Sequence, residues 1–146
     1  IRDSRQEIAG DREGPRPDDR RMEQQSRNSH KDLILWQKAL DLAVAVHEVS
    51  AAFPKSEIFG LVSQIRRAAV SVPSNIAEGS ARRTTREFMA FLHIARGSMA
   101  EVETQLLLAQ RIGYVSDEHL LALQLKLDEV GRIMNAVIRG LRRRLE

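Results

Sequence analysis

Arginine is the residue type in this chain whose number and spacing point most directly to chemistry. Pairs and triplets of arginine occur in the middle of the sequence and at its end. A guanidinium presents a planar fork of N–H donors that matches the oxygens of a phosphate, so these clusters are candidates for binding nucleic acid. An equally weighted alternative is a solvated surface on which the arginines pair with neighbouring glutamates. The candidate nucleic-acid-binding residues are Arg66, Arg67, Arg82, Arg83, Arg86, Arg142 and Arg143.

Side chains that bind metals or catalyse reactions are present without the spacing that either role requires. Cysteine is absent, and no glutamate is followed three residues later by histidine, the pair that di-iron helical bundles use. The HExxH, P-loop and GxSxG motifs are also missing. The acids that could meet as an acid–base pair are Glu78, Glu87, Glu101 and Glu103, although surface ion pairs explain them equally well. We expect no metal site, no cofactor, no catalytic residue and no enzyme activity.

Length and charge limit how the arginines can act. A chain of 146 residues with 42% apolar content is expected to form one domain, and its 4% aromatic content leaves aliphatic side chains to fill the core. Residues 1–31 hold eight basic and seven acidic residues, so they contribute +1 of the net charge of +3 and leave +2 for the rest. Because that bulk charge is weak, anion binding has to come from local clusters.

The sequence lacks the segments that direct a chain to secretion or into a membrane. It has no signal-peptide pattern at its start and no apolar run of about 18 residues, so we expect neither secretion nor a membrane span. The absence of cysteine fits a reducing compartment.

Residues 1–31 differ in composition from the rest of the chain. They combine charges of both signs with a Gly-Pro-Arg-Pro segment and almost no apolar periodicity, which predicts a disordered arm. The predicted organisation is a disordered arm at 1–31 followed by a folded domain at 32–146. A basic arm that closes on nucleic acid is the less favoured alternative, and it would use Arg16, Arg20, Arg21 and Arg27.

The first predicted helix begins at Asp32, or one turn earlier at Ser29, because both residues are good N-caps, and it ends before Pro54. Trp36 lies on its apolar stripe and is interpreted as a core anchor, with a base-stacking platform as the alternative. His47 is interpreted as a partly buried packing residue. The predicted buried face consists of Leu33, Trp36, Leu40, Ala43, Val44 and His47.

The second predicted helix has Ser56 as its N-cap and Gly79 as the residue that ends it. Pro73 lies inside its pattern and lacks an N–H, which predicts a kink and one unpaired carbonyl. The apolar stripe of this helix is Leu61, Ile65, Ala69, Val72 and Ile76.

The third predicted helix opens near Thr84, which has capping-box spacing to Glu87, and closes at Gly113. Gly97 and Ser98 lie in its middle, where a glycine costs about 1 kcal/mol relative to alanine. This cost suggests a close helix crossing or a neighbouring subunit. The predicted core stripe is Phe88, Phe91, Leu92, Ala95, Met99, Val102, Leu106 and Ala109.

The fourth predicted helix starts after the N-cap Ser116 and carries a coiled-coil-like seam of apolar residues three and four apart. The seam is Leu120, Leu123, Leu127, Val130, Met134, Val137 and Leu141. A second row beside it, available to the bundle interior or to a subunit interface, is Leu121, Leu125, Ile133 and Ile138. With short connections between the helices, the sequence predicts an all-α, antiparallel up-down-up-down four-helix bundle.

Several strings in the sequence resemble one protein family. These are Asp32-Leu33 with Trp36, Phe59-Gly60-Leu61, Gln64 with Arg66-Arg67-Ala68, Pro73-x-Asn75-Ile76-Ala77-Glu78-Gly79, and Phe91-Leu92 followed by Gly97-Ser98 and Glu101. Together they are similar to the four-helix bundle family of 23S rRNA intervening-sequence proteins. A relative of that family is the accessory variability determinant of diversity-generating retroelements.

The resemblance implies a bacterial, cytoplasmic, non-catalytic protein that forms a homopentamer. It also implies that nucleic acid and a reverse transcriptase are possible partners, although a bundle charge of +2 is low for a retroelement accessory protein. The alternative is a protein–protein interaction module that does not bind nucleic acid. Besides Arg66, Arg67 and Arg82, the shared family patch, as an oligomer contact or a ligand site, would contain Ser71, Asn75, Glu78, Gly97, Ser98 and Glu101.

Overall fold

The computed structural model describes residue 14 and residues 16–146, and of residues 22–30 it describes the backbone alone. The described part contains four long helices, one short 3-10 turn and no strand. The helices are α1 (Pro17–Ser50), α2 (Leu61–Ser80), α3 (Thr85–Arg111) and α4 (Asp117–Arg143), with the 3-10 turn at Lys55–Glu57. The predicted all-α four-helix fold is confirmed. The disorder predicted for residues 1–13 and 15 lies outside the described residues.

The helices form a closed ring in which each packs against two neighbours: α1 and α3 both contact α2 and α4. Helices that a short connection joins are in contact where one ends and the next begins, Ser50 with Arg66 and Gln110 with Asp117. The middles of α2 and α3 also meet, at Ser71 and Ser98, and the middle of α1 meets the end of α4 at the cavity that Asp32 and Leu141 line together. These contacts are consistent with neighbours that run antiparallel. The core fills the space inside this ring.

Helix α1 begins at Pro17, so the predicted start at Ser29 or Asp32 is wrong, and the part of the predicted arm from residue 17 onward is helical. Proline suits the first helical position because its ring presets the backbone angle and no N–H is needed there. Asp18 and Asp19 follow in the first turn, where the helix dipole favours acids, and a carboxylate oxygen of Asp19 accepts from the N–H of Arg16 at 3.3 Å. Local charge and proline placement therefore start this helix without an apolar stripe.

The buried face of α1 is not the predicted one. Leu35, Ala39, Leu42 and Val46 are fully buried, whereas His47 and the large apolar residues of the predicted stripe are exposed. The exposed fractions are 49% for Leu33, 37% for Trp36, 37% for Leu40 and 57% for Val44. Both stripes have helical spacing, but the buried one is flanked by the partly buried Ala43 and Ala45. Small flanking residues let α2 and α4 approach, so the bulkier stripe is left outside.

The core stripes of α3 and α4 agree with the sequence pattern. All seven seam residues of α4 are buried, from Leu120 to Leu141. On α3 the predicted stripe is also buried, except for Phe91, which is half-buried. In the second row of α4, Ile138 is buried and Ile133 is partly buried, while Leu121 and Leu125 are 59% and 62% exposed. The surplus apolar surface is therefore smaller than predicted.

Helix α2 is capped differently from the prediction. Ser56 lies within the 3-10 turn, and the helix begins after Gly60, where a carboxylate oxygen of Glu57 accepts from the N–H of Leu61 at 3.1 Å. Pro73 is buried and helical structure continues on both sides of it. Glu57 thus performs the capping role that the sequence assigned to Ser56.

Gly79 lies inside α2 rather than after its end, which corrects the predicted terminus. The helix continues to Ser80, and Gly79 is buried against α3. A Cβ at this position would lie 2.7 Å from Cβ of Phe91 and 2.9 Å from Cδ2 of Phe88. A glycine is therefore required by the close approach of the two helices.

One end of the bundle is called the closed end below. Phe53 and Val115 are buried there, and Glu57 and Tyr114 are partly buried. The rings of Phe53 and Tyr114 lie with centroids 5.5 Å apart, and the tyrosine hydroxyl donates to Oε1 of Glu57 at 3.1 Å. Desolvation, together with the hydrogen bond and charge of Glu57, raises the pKa of Tyr114 above its usual value. Every polar side chain of this group has a partner inside the protein.

Within the described part of the chain, no helix combines the length and the apolar content needed to cross a membrane.

Candidate functional site

A cavity of about 740 Å³ opens at the end of the bundle opposite the closed end. Five elements meet there: the middle of α1, the last turns of α2, the connection between α2 and α3, the start of α3 and the end of α4. Its lining residues are Asp32, Leu33, Trp36, Ile76, Ala77, Ser80, Arg82, Arg83, Thr84, Thr85, Phe88, Leu141 and Arg144. The volume falls in the range of about 300–1,000 Å³ that is usual for small-molecule pockets.

Three arginines line this cavity and three more lie on the adjoining turns of α3 and α4. We call the group Arg82, Arg83, Arg86, Arg142, Arg143 and Arg144 the arginine end. Arg86 lies in the first turn of α3, and Arg142 and Arg143 lie in the last turn of α4. All six side chains are exposed. The structure therefore brings five of the seven predicted arginines together at one end, and adds Arg144.

Most of these arginines have no internal partner. The side chains of Arg83, Arg86, Arg142 and Arg143 form no hydrogen bond or salt bridge with any residue that the structure describes. Because an exposed arginine without an acidic partner keeps its full charge toward solvent, these side chains are available to an anion. The predicted alternative, in which neighbouring glutamates neutralise them, does not hold for these four.

Arg82 is different, because it is held in place by its neighbours. One of its terminal nitrogens donates to Oε1 of Glu78 at 3.0 Å, and its guanidinium lies 4.8 Å from the ring centroid of Phe91. An ion pair and a cation–π contact together fix its direction. Arg82 therefore contributes less free charge than the arginine that follows it.

Asp32 carries negative charge inside the cavity. The residue is half-buried; desolvation raises the pKa of its carboxyl, and the nearby charge of Arg144 opposes that shift. The two side chains do not reach salt-bridge distance, so Arg144 keeps donors free for another anion. Arg144 was absent from the predicted binding residues, although it directly follows two arginines that were included.

Trp36 lines this cavity instead of anchoring the core, which corrects its main interpretation. The residue is 37% exposed, so part of its surface is accessible to solvent and part is covered by the bundle. The alternative interpretation, a stacking platform, is the one that this placement favours.

Arg66 and Arg67 lie away from the arginine end. Nε of Arg66 donates to Oγ of Ser50 at 2.8 Å, and a terminal nitrogen donates to the carbonyl of His47 at 3.2 Å. This side chain therefore joins the start of α2 to the last turn of α1, which is a structural role. Arg67 is exposed on α2 and does not line the cavity.

Three residues of the family patch form one polar link between α2 and α3. Nδ2 of Asn75 donates to the carbonyl of Ser71 at 2.8 Å and to its Oγ at 2.9 Å, and the hydroxyls of Ser71 and Ser98 lie 2.8 Å apart. Oγ of Ser98 also donates to the carbonyl of Ile94 at 3.3 Å. Since Ser98 is 7% exposed, this chain of hydrogen bonds fixes the pairing of the two helices.

The other members of the patch point elsewhere. Gly97 and Glu101 are exposed, and a Cβ at Gly97 would meet no atom within 4 Å. The close crossing suggested by Gly97 is therefore not made within one chain. Glu78 belongs with Arg82 at the arginine end. The patch is thus divided between an internal link and an outward surface.

The acids considered for catalysis have structural partners or lie apart. Glu87 forms the predicted capping box with Thr84, in which the N–H of Glu87 donates to the threonine hydroxyl at 3.2 Å. Glu78 pairs with Arg82. Across the described residues, no three histidine, cysteine, aspartate or glutamate side chains are grouped closely enough to hold a metal ion.

Two comparisons with known proteins gave matches. The family model described as 23S rRNA-intervening sequence protein matches residues 31–136. A crystal structure of a protein with unknown function from the S23 ribosomal protein family of Bacteroides thetaiotaomicron VPI-5482 is similar, with a TM-score of 0.69 and 24% identity, covering 75% of this chain and 98% of that one. At that identity the similarity concerns the fold. A search of curated proteins gave no match.

Proposed function

The chain belongs to the family of 23S rRNA-intervening sequence proteins, and from this premise we propose that it is a non-catalytic helical bundle that binds RNA or DNA and assembles with copies of itself. In this proposal the arginine end contacts the phosphate backbone. The cellular setting that fits these roles is the bacterial cytoplasm.

The observation that carries the nucleic-acid proposal is the set of unpartnered arginines at one end. Four side chains with no internal acceptor among the described residues, from two different helices and a connection, present guanidinium groups to solvent together. Phosphate contacts of this kind supply affinity without reading base sequence. The weak net charge of the chain does not oppose phosphate binding, because the unpartnered positive charges are concentrated at the arginine end.

Salt-dependent binding tests this function. Labelled RNA is titrated with the wild-type protein at about 50 mM and 200 mM salt, where each phosphate contact contributes about −0.7 to the slope of log affinity against log salt for a single strand. We expect binding that weakens steeply with salt. Absence of binding at the lower salt, or affinity indifferent to salt, contradicts the proposal.

A matched pair of double variants locates the contact. Arg83→Gln with Arg86→Gln removes two charges from the arginine end, and we expect the salt slope to fall by about 1.4. Arg111→Gln with Arg132→Gln removes the same charge from exposed positions elsewhere and is expected to leave the slope almost unchanged. Equal losses in both variants would assign binding to bulk charge instead of the arginine end.

Self-association is supported by a second observation, the outer apolar face made of Leu33, Leu40, Val44 and Val70. These residues are between 37% and 57% exposed and lie on the neighbouring helices α1 and α2. The three residues on α1 are seven and four positions apart, so they share one face of that helix, and exposed apolar side chains on one face commonly mark an interaction surface. The homopentamer that the resemblance implies would cover such a face, and so would a protein partner such as a reverse transcriptase.

Mass in solution tests the assembly. Light scattering of the wild-type protein is expected to give a multiple of the chain mass of 16.5 kDa, five-fold for the proposed pentamer. Leu40→Glu with Val44→Glu, which places charges on the outer apolar face, is expected to shift the mass toward the monomer. A monomeric wild-type protein would remove the self-association part of the proposal while leaving nucleic-acid binding open to its own test.

A further inference from the structure

We propose that the cavity at the arginine end receives one nucleotide of a single strand, with its base stacked on Trp36 and an adjacent phosphate held by Arg83 and Arg144. This inference rests on the proposed function, because it names the form of nucleic acid that the arginine end takes.

The composition of the cavity matches a nucleotide better than a purely apolar or purely ionic ligand. Its apolar lining comes from Leu33, Ile76, Phe88 and Leu141, while charged and hydroxyl groups come from the connection after α2, the start of α3 and the end of α4. A nucleotide has the same two characters, a flat base with π-faces and a charged phosphate. The volume of about 740 Å³ accommodates such a unit within the usual range of ligand sites.

Trp36 supplies the surface that a base can stack on. It is the sole tryptophan of the chain, its indole is 37% exposed, and it lines the cavity rather than the core. Stacking of a base on an aromatic side chain contributes without regard to sequence, because every base has a π-face. In a duplex the bases already stack on one another, so this contact favours a single strand.

Arg83 and Arg144 supply the anion-binding groups. They reach the cavity from different elements, the α2–α3 connection and the end of α4, and neither forms a salt bridge with any residue in the described part of the chain. Arg82 lines the same cavity but is committed to Glu78 and Phe91. The hydroxyl of Thr85, also in the lining, forms no hydrogen bond with a described residue and adds a neutral donor.

Asp32 weakens the attraction for an anion on one side of the cavity. Its carboxylate lies in the lining near Arg144 and offsets part of the charge of that arginine. Of the two arginines that hold the phosphate, Arg83 therefore contributes the larger share of the attraction.

The fluorescence of Trp36 tests the contact directly, because no other tryptophan contributes to the signal. The wild-type protein is titrated with a pyrimidine single strand about 12 nucleotides long, and in parallel with the same strand annealed to its complement. We expect saturable quenching with the single strand and little change with the duplex. Equal quenching by both, or none by the single strand while it binds, overturns the inference.

Substitutions separate stacking from packing. Trp36→Phe keeps an aromatic face, whereas Trp36→Leu keeps an apolar side chain without one. By anisotropy of the labelled strand we expect Trp36→Leu to weaken single-strand binding about 10-fold and Trp36→Phe to weaken it less than about 3-fold, in line with base–aromatic stacking. Circular dichroism of both variants controls for folding. Equal binding by Trp36→Leu, Trp36→Phe and the wild type contradicts the inference.

A third titration distinguishes a strand from a free nucleotide. Uridine monophosphate at the same nucleotide concentration is expected to quench Trp36 far less, because it lacks the neighbouring phosphates that the arginine end holds. Quenching as strong as that of the strand would make the cavity a mononucleotide site instead.

The binding results also distinguish a failure of this inference from a failure of the proposed function. If the wild-type protein binds neither strand nor duplex at low salt, the proposed function fails. If it binds both equally and Trp36→Leu changes nothing, only this inference fails.

Discussion

The two ends of the bundle use charged side chains in opposite ways. At the closed end, Glu57 caps α2 and accepts the hydroxyl of Tyr114, whose ring packs on Phe53. At the arginine end, Arg83 and its unpartnered neighbours surround an open cavity. The same fold therefore uses polar groups for structure at one end and leaves them free at the other.

This difference shows which end of the bundle has polar groups that are free to bind a ligand. A buried carboxylate without partners is costly, so the closed end satisfies each of its polar groups internally. Exposed guanidinium groups carry no such cost, because water solvates them, and they contribute little to stability. Stability and ligand affinity should consequently respond to different substitutions, and the following expectations test that separation.

The largest effect is expected from Phe53→Ala at the closed end. Phe53 is 6% exposed, so its removal is expected to cost about 3–5 kcal/mol of the free energy of unfolding. Trp36→Ala at the arginine end removes a larger side chain but is expected to cost less than about half as much, because the indole is partly solvated and lines a cavity. Urea denaturation of both variants gives the comparison. Equal costs would mean that the arginine end is packed as closely as the closed end.

Gly79 sharpens the comparison, because it shows that one side of the arginine end is tightly packed. A Cβ there would lie 2.7 Å from Cβ of Phe91, so Gly79→Ala is expected to destabilise the protein by about 1–3 kcal/mol. Gly97→Ala is the matched control, with no atom within 4 Å of its Cβ, and is expected to stabilise the helix by up to about 1 kcal/mol. Thermal melting of both variants tests this; destabilisation by Gly97→Ala would point to a neighbouring subunit over that glycine.

A smaller effect is expected from Tyr114→Phe, which removes a hydrogen bond at the closed end and keeps the ring. Loss of the bond to Glu57 is expected to cost about 1 kcal/mol of the free energy of unfolding. Arg83→Gln at the arginine end is expected to stay within about 0.5 kcal/mol of the wild type, because it breaks no internal bond. A cost for Arg83→Gln as large as that for Tyr114→Phe would break the distinction between the two ends.

The smallest effect concerns Asp32 and pH. Burial raises the pKa of this carboxyl above 3.8, against the nearby charge of Arg144, so protonation begins at a higher pH than for a free aspartate. As pH falls toward that pKa, negative charge leaves the cavity and anion affinity is expected to rise. Asp32→Asn should raise single-strand affinity at neutral pH by about 2-fold, as expected for one screened charge, and flatten the rise. An unchanged pH profile in Asp32→Asn would show that other groups cause it.

How much of the fold the sequence predicts depends on how many stripes a helix carries. On α4 a single seam from Leu120 to Leu141 alternates three and four residues apart, and every member is buried. On α1 two stripes share that spacing, and the larger side chains of the exposed stripe favour the wrong one when the sequence is considered alone. Ala43, which belongs to the predicted stripe, and Ala45 flank the buried stripe, and their small size matters only when two neighbouring helices are placed. The family resemblance, read from short motifs, is confirmed.

The site was predictable in composition but not in arrangement. Clustering identified Arg83 and Arg86 as candidates, yet it treated Arg66 alike, whose donors are used by Ser50 and by the carbonyl of His47. Whether an arginine is free depends on contacts between residues of different helices, such as Arg66 and Ser50, which are sixteen positions apart in the sequence. A local sequence pattern does not record such contacts. The cavity likewise needs five elements to meet, so Trp36 was assigned to the core.

Arginines without internal partners lie together at one end of the bundle, so the two ends differ in charge. In a ring whose rotation axis runs parallel to the helices, every copy would present this end on the same rim, and a modest local charge would become a continuous basic collar. A two-fold axis perpendicular to the helices would instead place the collars back to back. The symmetry of the assembly would thus decide whether a strand meets one binding surface to which every copy contributes, or two separate surfaces.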